Sequence, residues 1–327
     1  MIHSYMAKIH LNKISWVFVF LLAFISTSCS AEDPTDPFYT EERAKKVTKE
    51  YNVLVIGDSF SRDAFSYAPS VIENICPNLA INMKILYLGG KALNYHISYL
   101  NNNTFFTLDT YDPFTGKWYT NYNCIIGEDV ICERTWDLVI LQEGSNTIRS
   151  YEKTQSHVTQ LRDYIRQRQP FAKIAFMLSP SKPDGSPALG ELTSDQAWEM
   201  NAATTSSLLD NDEVEHIIPC GTAIQNARRT IIDRYGDFGH LSFDGDHLQE
   251  GFPCLIEAYV TAQFFFNLYG LASSISSCTI ETTQQWVDSK HIPGKHGSAI
   301  NGTKEEYNIC KQCALSAIEH PFEVQQY

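Results

Sequence analysis

The sequence predicts a three-layer α/β/α fold in which helices cover both faces of a central, largely parallel sheet. Three observations carry this. Short apolar runs rich in β-branched residues recur along the chain, as at Asn52–Ile56, Asn82–Leu88, Leu138–Gln142, Lys173–Leu178 and Glu215–Ile218. Stretches with helical spacing separate them: Asp63–Ile75, Tyr151–Gln169, Ser194–Leu209, Thr222–Tyr235 and Pro253–Leu268. Strands that are apolar on both faces and linked through helices belong to parallel sheets buried on both sides. Finally, glycine-rich polar turns follow the strands directly. Gly57-Asp58-Ser59, Gly89-Gly90 and Gly144-Ser145-Asn146 all sit where such sheets gather functional residues, at the carboxyl ends of strands.

Each element has its own punctuation. Gly57 closes the first strand, Gly89-Gly90 the second and Gly144 the third, while Pro170 stops the helix before the fourth. Residues 101–136 break the rhythm. They are rich in Asn, Thr and aromatic residues and hold the turn signal Asp112-Pro113-Phe114-Thr115-Gly116, which predicts an inserted hairpin or loop. Residues 272–327 read as a polar extension beyond the last core helix.

Composition narrows the function. Apolar residues make up 43% of the 327 positions and charged residues 19%, enough to bury a sizeable core. The formal net charge of −13, with no basic stripe, excludes nucleic acid as a partner. At the amino end, Lys8 and Lys13 precede the apolar run Trp16–Ile25, which then meets small residues and Cys29. That is the layout of an export signal, and the run is too short to span a bilayer comfortably. Ser26-Thr27-Ser28-Cys29 resembles a bacterial lipobox, with Ser26 where Leu is usual, so the expectation is lipidation at Cys29. An ordinary cleaved signal peptide is the other reading. Glu32-Asp33 just past Cys29 resembles a signal for the cell surface. The expected organisation is thus a signal over 1–29, a tether over 30–50, a core domain over 51–271 and the extension from 272. Membrane contact is expected only through the lipid, in an outer-membrane, surface, periplasmic or secreted protein. Eight further cysteines in an exported chain permit disulfides, with Cys124/Cys132 and Cys310/Cys313 the candidate local pairs. Cys310-x-x-Cys313 has no second ligand pair, so neither a metal nor another cofactor is expected.

Two segments carry chemistry. In Val55-Ile56-Gly57-Asp58-Ser59-Phe60-Ser61 a serine stands at a sharp strand-to-helix turn, where its hydroxyl is exposed and backbone N–H groups can face an oxyanion. A helix-capping serine fits the same segment. In Asp244-Gly245-Asp246-His247 a carboxylate and an imidazole three residues apart can fold back on each other, Asp244 holding Nδ1 and leaving Nε2 as a general base. Asp246 is the competing carboxylate, with poorer geometry because it is adjacent to the histidine. A surface loop that happens to hold a histidine fits equally well.

Taken together, the order of Gly-Asp-Ser-Phe, a turn glycine, Gly-x-Asn and Asp-x-x-His, each after a strand, resembles the block pattern of the SGNH (GDSL-like) hydrolase superfamily over roughly residues 51–270. Leu88-Gly89-Gly90, Leu141-Gln142, Pro219–Arg228 and Asp244–Leu248 are similar to an uncharacterised bacterial branch of it. The resemblance implies a flavodoxin-like three-layer fold and an ester hydrolase with nucleophile Ser59, general base His247 and orienting Asp244. It also implies an oxyanion hole of the Ser59 and Gly90 N–H groups and the Asn146 amide, with Gly89 and Gln142 as alternatives. Thr147 follows Asn146 where the superfamily usually has Asp. The implied substrate is an acyl ester, foremost an acetyl group on a carbohydrate. A catalytically inactive glycan-binding lipoprotein is the second reading, and a glycoside hydrolase using Glu143 with Asp244 the third. Arg228, Trp118 and His96 are candidate substrate contacts, beside Tyr119 and Tyr122 in the insertion.

Overall fold

The computed structural model describes residues 41–279 and 302–325. A helix, α1 (Glu41–Lys46), precedes the first strand, β1 (Lys49–Gly57). β1 pairs in parallel with β2 (Leu79–Tyr87) on one side and β5 (Leu138–Leu141) on the other. β6 (Lys173–Met177) and β7 (His216–Ile218) continue outward from β5, also parallel. A hairpin of β3 (Phe105–Asp112) and β4 (Lys117–Ile126) adds antiparallel to β2, giving a mixed seven-stranded sheet ordered β4-β3-β2-β1-β5-β6-β7.

Two-residue alternation along each strand builds two cores, one on each face. Val53 and Val55 join Met83, Ile85, Ile140 and Met177 in the first. Leu54 and Ile56 join Leu86, Val139, Leu141 and Phe176 in the second. The first face is covered by α2 (Ser59–Phe65), α3 (Ala68–Ile75), α8 (Cys220–Ala227) and α9 (Phe252–Leu268). Over the second lie α4 (Leu93–Asn101), α5 (Gly127–Cys132), α6 (Tyr151–Arg168) and α7 (Ser194–Asp210). This is the three-layer arrangement that the sequence predicts. β1 lies at the switch point of the parallel part, where connections leave in opposite directions and a crevice opens at the strand ends.

Several segments differ in detail from the sequence reading. The first strand begins at Lys49, and Thr48 N–H donates to the Asn78 carbonyl at 2.8 Å, so the last residues assigned to a tether belong to the folded unit. The helix expected over Asp63–Ile75 is two, α2 and α3, with Tyr67 as N-cap of the second and Pro69 in its first turn. The inserted segment is an integral sheet edge, turned where Asp112 Oδ1 accepts from Phe114 N–H at 2.9 Å. The region expected to be a polar extension supplies α10 (Lys304–Glu319), whose Tyr307, Cys310, Cys313, Ala314 and Ala317 enter the first core. α10 is needed because α9 is largely apolar and buried on every side: all its residues from Phe252 to Phe266 are buried, and the sheet covers only one face. The chain beyond α10 is tied down as well, Gln325 N–H donating to Asn226 Oδ1 at 2.8 Å.

The eight described cysteines are unpaired, which corrects both candidate disulfides. Cys310 and Cys313 share α10 as buried core residues, and Cys124 and Cys132 are exposed. Cys29 and the export signal lie outside the described residues. No helix among the described residues is long and apolar enough to cross a membrane.

If α10 is part of the core, Tyr307, which meets the Phe252 ring edge-on at 5.1 Å, carries real stability. Tyr307→Ala is expected to cost about 3 kcal/mol in urea unfolding. A loss below about 0.5 kcal/mol, the scale of a surface change, would show that α10 is dispensable.

Candidate active site

The serine turn is built around a close approach. Gly57 ends β1 against Gln142, the first residue past β5; a Cβ at Gly57 would lie 2.2 Å from Ser61 Oγ and 2.5 Å from Gln142 Oε1, so only glycine fits. Gln142 Oε1 accepts from Asp58 N–H at 2.7 Å and from the Ser61 hydroxyl at 3.0 Å, and its amide nitrogen donates to the Glu143 carbonyl. Asp58 caps α2 by accepting from Phe60 N–H at 3.0 Å. Ser59, the first residue of α2, is left half-buried with its hydroxyl at the strand ends.

The histidine arrives on a tightly folded loop before α9. Asp244 Oδ1 accepts from the N–H groups of Asp246 at 2.9 Å and His247 at 2.7 Å, and Oδ2 lies 2.8 Å from His247 Nδ1. Ser242 Oγ donates to the His247 carbonyl at 2.8 Å and accepts from Gly245 N–H at 2.9 Å. Asp63 of α2 receives Leu248 N–H at 3.1 Å, which joins this loop to the serine helix. The result is a continuous relay: His247 Nε2 stands 2.9 Å from Ser59 Oγ. With the ring proton on Nδ1, held by Asp244, Nε2 accepts from the serine hydroxyl. Burial pushes the Asp244 carboxyl upward, but the hydrogen bonds from the His247 backbone and ring, with that from Asp246 N–H, outweigh it and hold the group below its ordinary value. It therefore stays a carboxylate, as a partner for an imidazolium must.

The opposite wall comprises the turns after β2 and β5. Gly89 and Gly90 are exposed, and Gly90 adopts φ +62°, the left-handed region that glycine occupies without strain. Asn146 is exposed, its amide oxygen gripped by Arg149, which leaves the NH2 group as its donor. Gln142 is fully buried, its oxygen taken by the serine turn and its amide nitrogen donating to the Glu143 carbonyl, which corrects its standing as an alternative oxyanion donor. Glu143, fully buried, clamps the two turns together: Oε1 accepts from Leu93 N–H at 2.9 Å and Gly144 N–H at 2.7 Å, and Oε2 lies 2.8 Å from His157 Nδ1. So engaged, it is not a free carboxylate to pair with Asp244 across a glycosidic bond.

Three proposed substrate contacts lie elsewhere. Trp118 is buried, its indole N–H donating to the Ser66 carbonyl at 2.8 Å, because the inward parity of β4 falls on it; Tyr119 and Tyr122 are exposed on the same edge strand. His96 is fully buried on the inner side of α4 beside Phe106, where burial lowers it to about 3 and keeps it neutral. Arg228 is half-buried with its guanidinium in a polar knot, donating to Ser181 Oγ at 2.9 Å, Ser194 Oγ at 2.7 Å and Gln225 Oε1 at 2.9 Å; desolvation there lowers it to about 10.

Sequence reasoning missed the groups that support the relay: Asp63, the Glu143–His157 pair, and Lys182, whose ammonium pairs with Asp246. Lys182 follows β6 within Ser179-Pro180-Ser181-Lys182, and a polar turn at a strand's carboxyl end was the available signal.

Fold and geometry define a doubly wound α/β protein with a serine–histidine–aspartate relay at the switch point of its sheet. The chain belongs to the family described as Domain of unknown function (DUF4886), whose model matches residues 52–285. It is similar in fold to a crystal structure of a DUF4886 family protein from Bacteroides uniformis, at 20% identity and a TM-score of 0.63, over 85% of this chain and 98% of that one. More distantly, it is similar to a putative SGNH hydrolase from Slackia heliotrinireducens at 14% identity and a TM-score of 0.46, covering 66% of this chain and 99% of that one. An acetyl xylan esterase from Geobacillus stearothermophilus aligns at 15% identity and a TM-score of 0.42, over 70% of this chain and 98% of that one. No curated protein matches the chain in sequence.

Asp58 yields a test of the serine turn. Burial raises its carboxyl from 3.8 to about 6, against the Phe60 N–H bond and the Lys182 charge, which lower it, and with Glu143 adding to the rise. Between those two values the folded protein keeps a proton that the unfolded chain has released. Stability from this group is therefore complete below pH 3.8 and is lost as pH rises through about 6. Asp58→Asn keeps the cap and removes the titration. Relative to the unsubstituted protein it should gain on the order of 2 kcal/mol between pH 4 and pH 7 in denaturant unfolding. A difference that stays constant with pH would refute the assignment.

Proposed function

We propose that this protein is a serine esterase that removes a small acyl group, foremost acetyl, from a carbohydrate. The observation that carries the reading is the unbroken relay, 2.9 Å from Ser59 Oγ to His247 Nε2 and 2.8 Å from His247 Nδ1 to Asp244 Oδ2. As the substrate carbonyl approaches, Ser59 Oγ attacks while Nε2 takes its proton, and Asp244 steadies the imidazolium. The backbone N–H groups of Ser59 and Gly90 and the Asn146 amide receive the oxyanion, each donor contributing roughly 10²–10³ in rate. His247 then protonates the departing sugar hydroxyl. It next activates the water that hydrolyses the acyl-enzyme. The exposed, polar rim of Gly89, Gly90 and Asn146 favours a polar carrier over a lipid chain, and an acetyl group needs no long acyl channel.

The same reading places the enzyme outside the cytoplasm, tethered through lipidated Cys29 to the outer membrane or cell surface. The basic start, the apolar run and the small residues before Cys29 support this.

Hydrolysis of p-nitrophenyl acetate should fall on the order of 10⁴-fold or more in Ser59→Ala, because relay members act as a unit. Equal rates in the two proteins would end the esterase reading and favour a glycan-binding protein without activity. Mass spectrometry of what the enzyme releases from acetylated polysaccharides tests the substrate. Cys29→Ala should move the protein from the membrane to the soluble fraction, and an unchanged distribution would reject the lipid anchor.

A further inference from the structure

Lys182 has no part in the relay, yet it is the buried cation beside it. Its side chain is 5% exposed, and Nζ forms an ion pair with Asp246 Oδ1 and reaches the Asp246 carbonyl at 3.4 Å. Nζ also stands 4.3 Å from the centre of the Phe60 ring, one residue past the nucleophile. Burial lowers the ammonium, while the Asp246 bond and the charges of Asp246, Asp58 and Asp244 oppose that. Taking a lysine out of water is costly unless its charge is paired, and here Asp246 is the partner.

The consequence of that pairing is legible at Asp246. Its second carboxylate oxygen, Oδ2, lies 4.0 Å from His247 Nε2, the nitrogen that already faces the Ser59 hydroxyl at 2.9 Å. Two groups therefore contend for one atom. A hydroxyl needs Nε2 as an acceptor, whereas a carboxylate favours a protonated Nε2 that donates to it. With Asp244 already on Nδ1, an unrestrained Asp246 would leave the imidazole between two carboxylates and stabilise the imidazolium, which cannot take the proton of Ser59. The remaining charged neighbours are otherwise occupied: Asp58 caps α2, and Asp63 receives Leu248 N–H.

We propose that Lys182 is a positioning residue that keeps His247 a free base, by holding Asp246 in an ion pair and away from the nitrogen that faces Ser59. The inference rests on the relay reading in assigning that nitrogen its task. Its structural half, that Lys182 governs the charge state of His247, stands independently of any activity.

The test follows the His247 ring by NMR titration, identified by its loss in His247→Gln, alongside the pH dependence of kcat/KM on p-nitrophenyl acetate. In Lys182→Met the His247 midpoint and the acid limb should both move up by about one pH unit, a tenfold change in proton affinity. Lys182→Arg should keep both near their original positions. Lys182→Met combined with Asp246→Asn should return the midpoint to within a few tenths of a unit, since the contending carboxylate is gone. An unmoved midpoint in Lys182→Met, or a double variant that fails to restore it, overturns the proposal. Should Lys182→Met not fold, Lys182→Gln, which removes the charge and keeps a polar head, is read in its place: a raised midpoint supports the proposal and an unmoved one overturns it. If Ser59→Ala instead retains full activity, the esterase reading falls while the titration still reports on Lys182.

Discussion

The hydrogen bond between the Ser59 hydroxyl and the His247 imidazole joins positions 188 residues apart in sequence, and the architecture between them exists in a form that lets it close. Ser59 follows the central strand directly. His247 stands on the loop that feeds α9, and α9 packs on the same sheet face as α2. Were either element displaced by one helical turn, about 5 Å, the contact would be lost. The cores on the two faces of the sheet fix both elements well within that tolerance, so packing determines whether the chemistry is available.

Around that contact the protein assembles an unusual density of buried charge. Asp58, Asp63, Glu143 and Lys182 are all buried near the strand ends. Each has a definite partner: a helix N–H, the backbone of the histidine loop, two turn N–H groups with His157, and Asp246 respectively. Charged acceptors on backbone donors fix geometry more firmly than apolar contacts can, because leaving them unmade costs the full desolvation of the ion. Three turns from different parts of the chain are thereby held in one arrangement before any substrate arrives. That is the preorganisation that acyl transfer requires.

Much of this was legible in the sequence. Strands announced themselves through β-branched runs with terminal glycines, and the Gly-Asp-Ser and Asp-x-x-His segments stand where strand ends were expected. Local patterns failed where the answer depended on a distant partner. In β4 the alternation of Trp118 and Tyr119 was plain, but only pairing with β3 decides which of them faces inward. Gln142 and Asn146 both looked like amide donors; the side-by-side pairing of β1 and β5 buries the first, with its amide nitrogen on the Glu143 carbonyl. Arg228 and His96 had the chemistry of ligand contacts and no sequence signal of their burial. Lys182 offered only its place after a strand, and its partner lies 64 positions further on.

The burial of α9 on every side has a consequence for the relay. A helix with no wet side is stable only when both of its neighbours, the sheet and α10, are in place. Loosening α10 would uncover the far side of α9, the helix to which the histidine loop is attached. The relay thus depends on a helix that supplies none of its members.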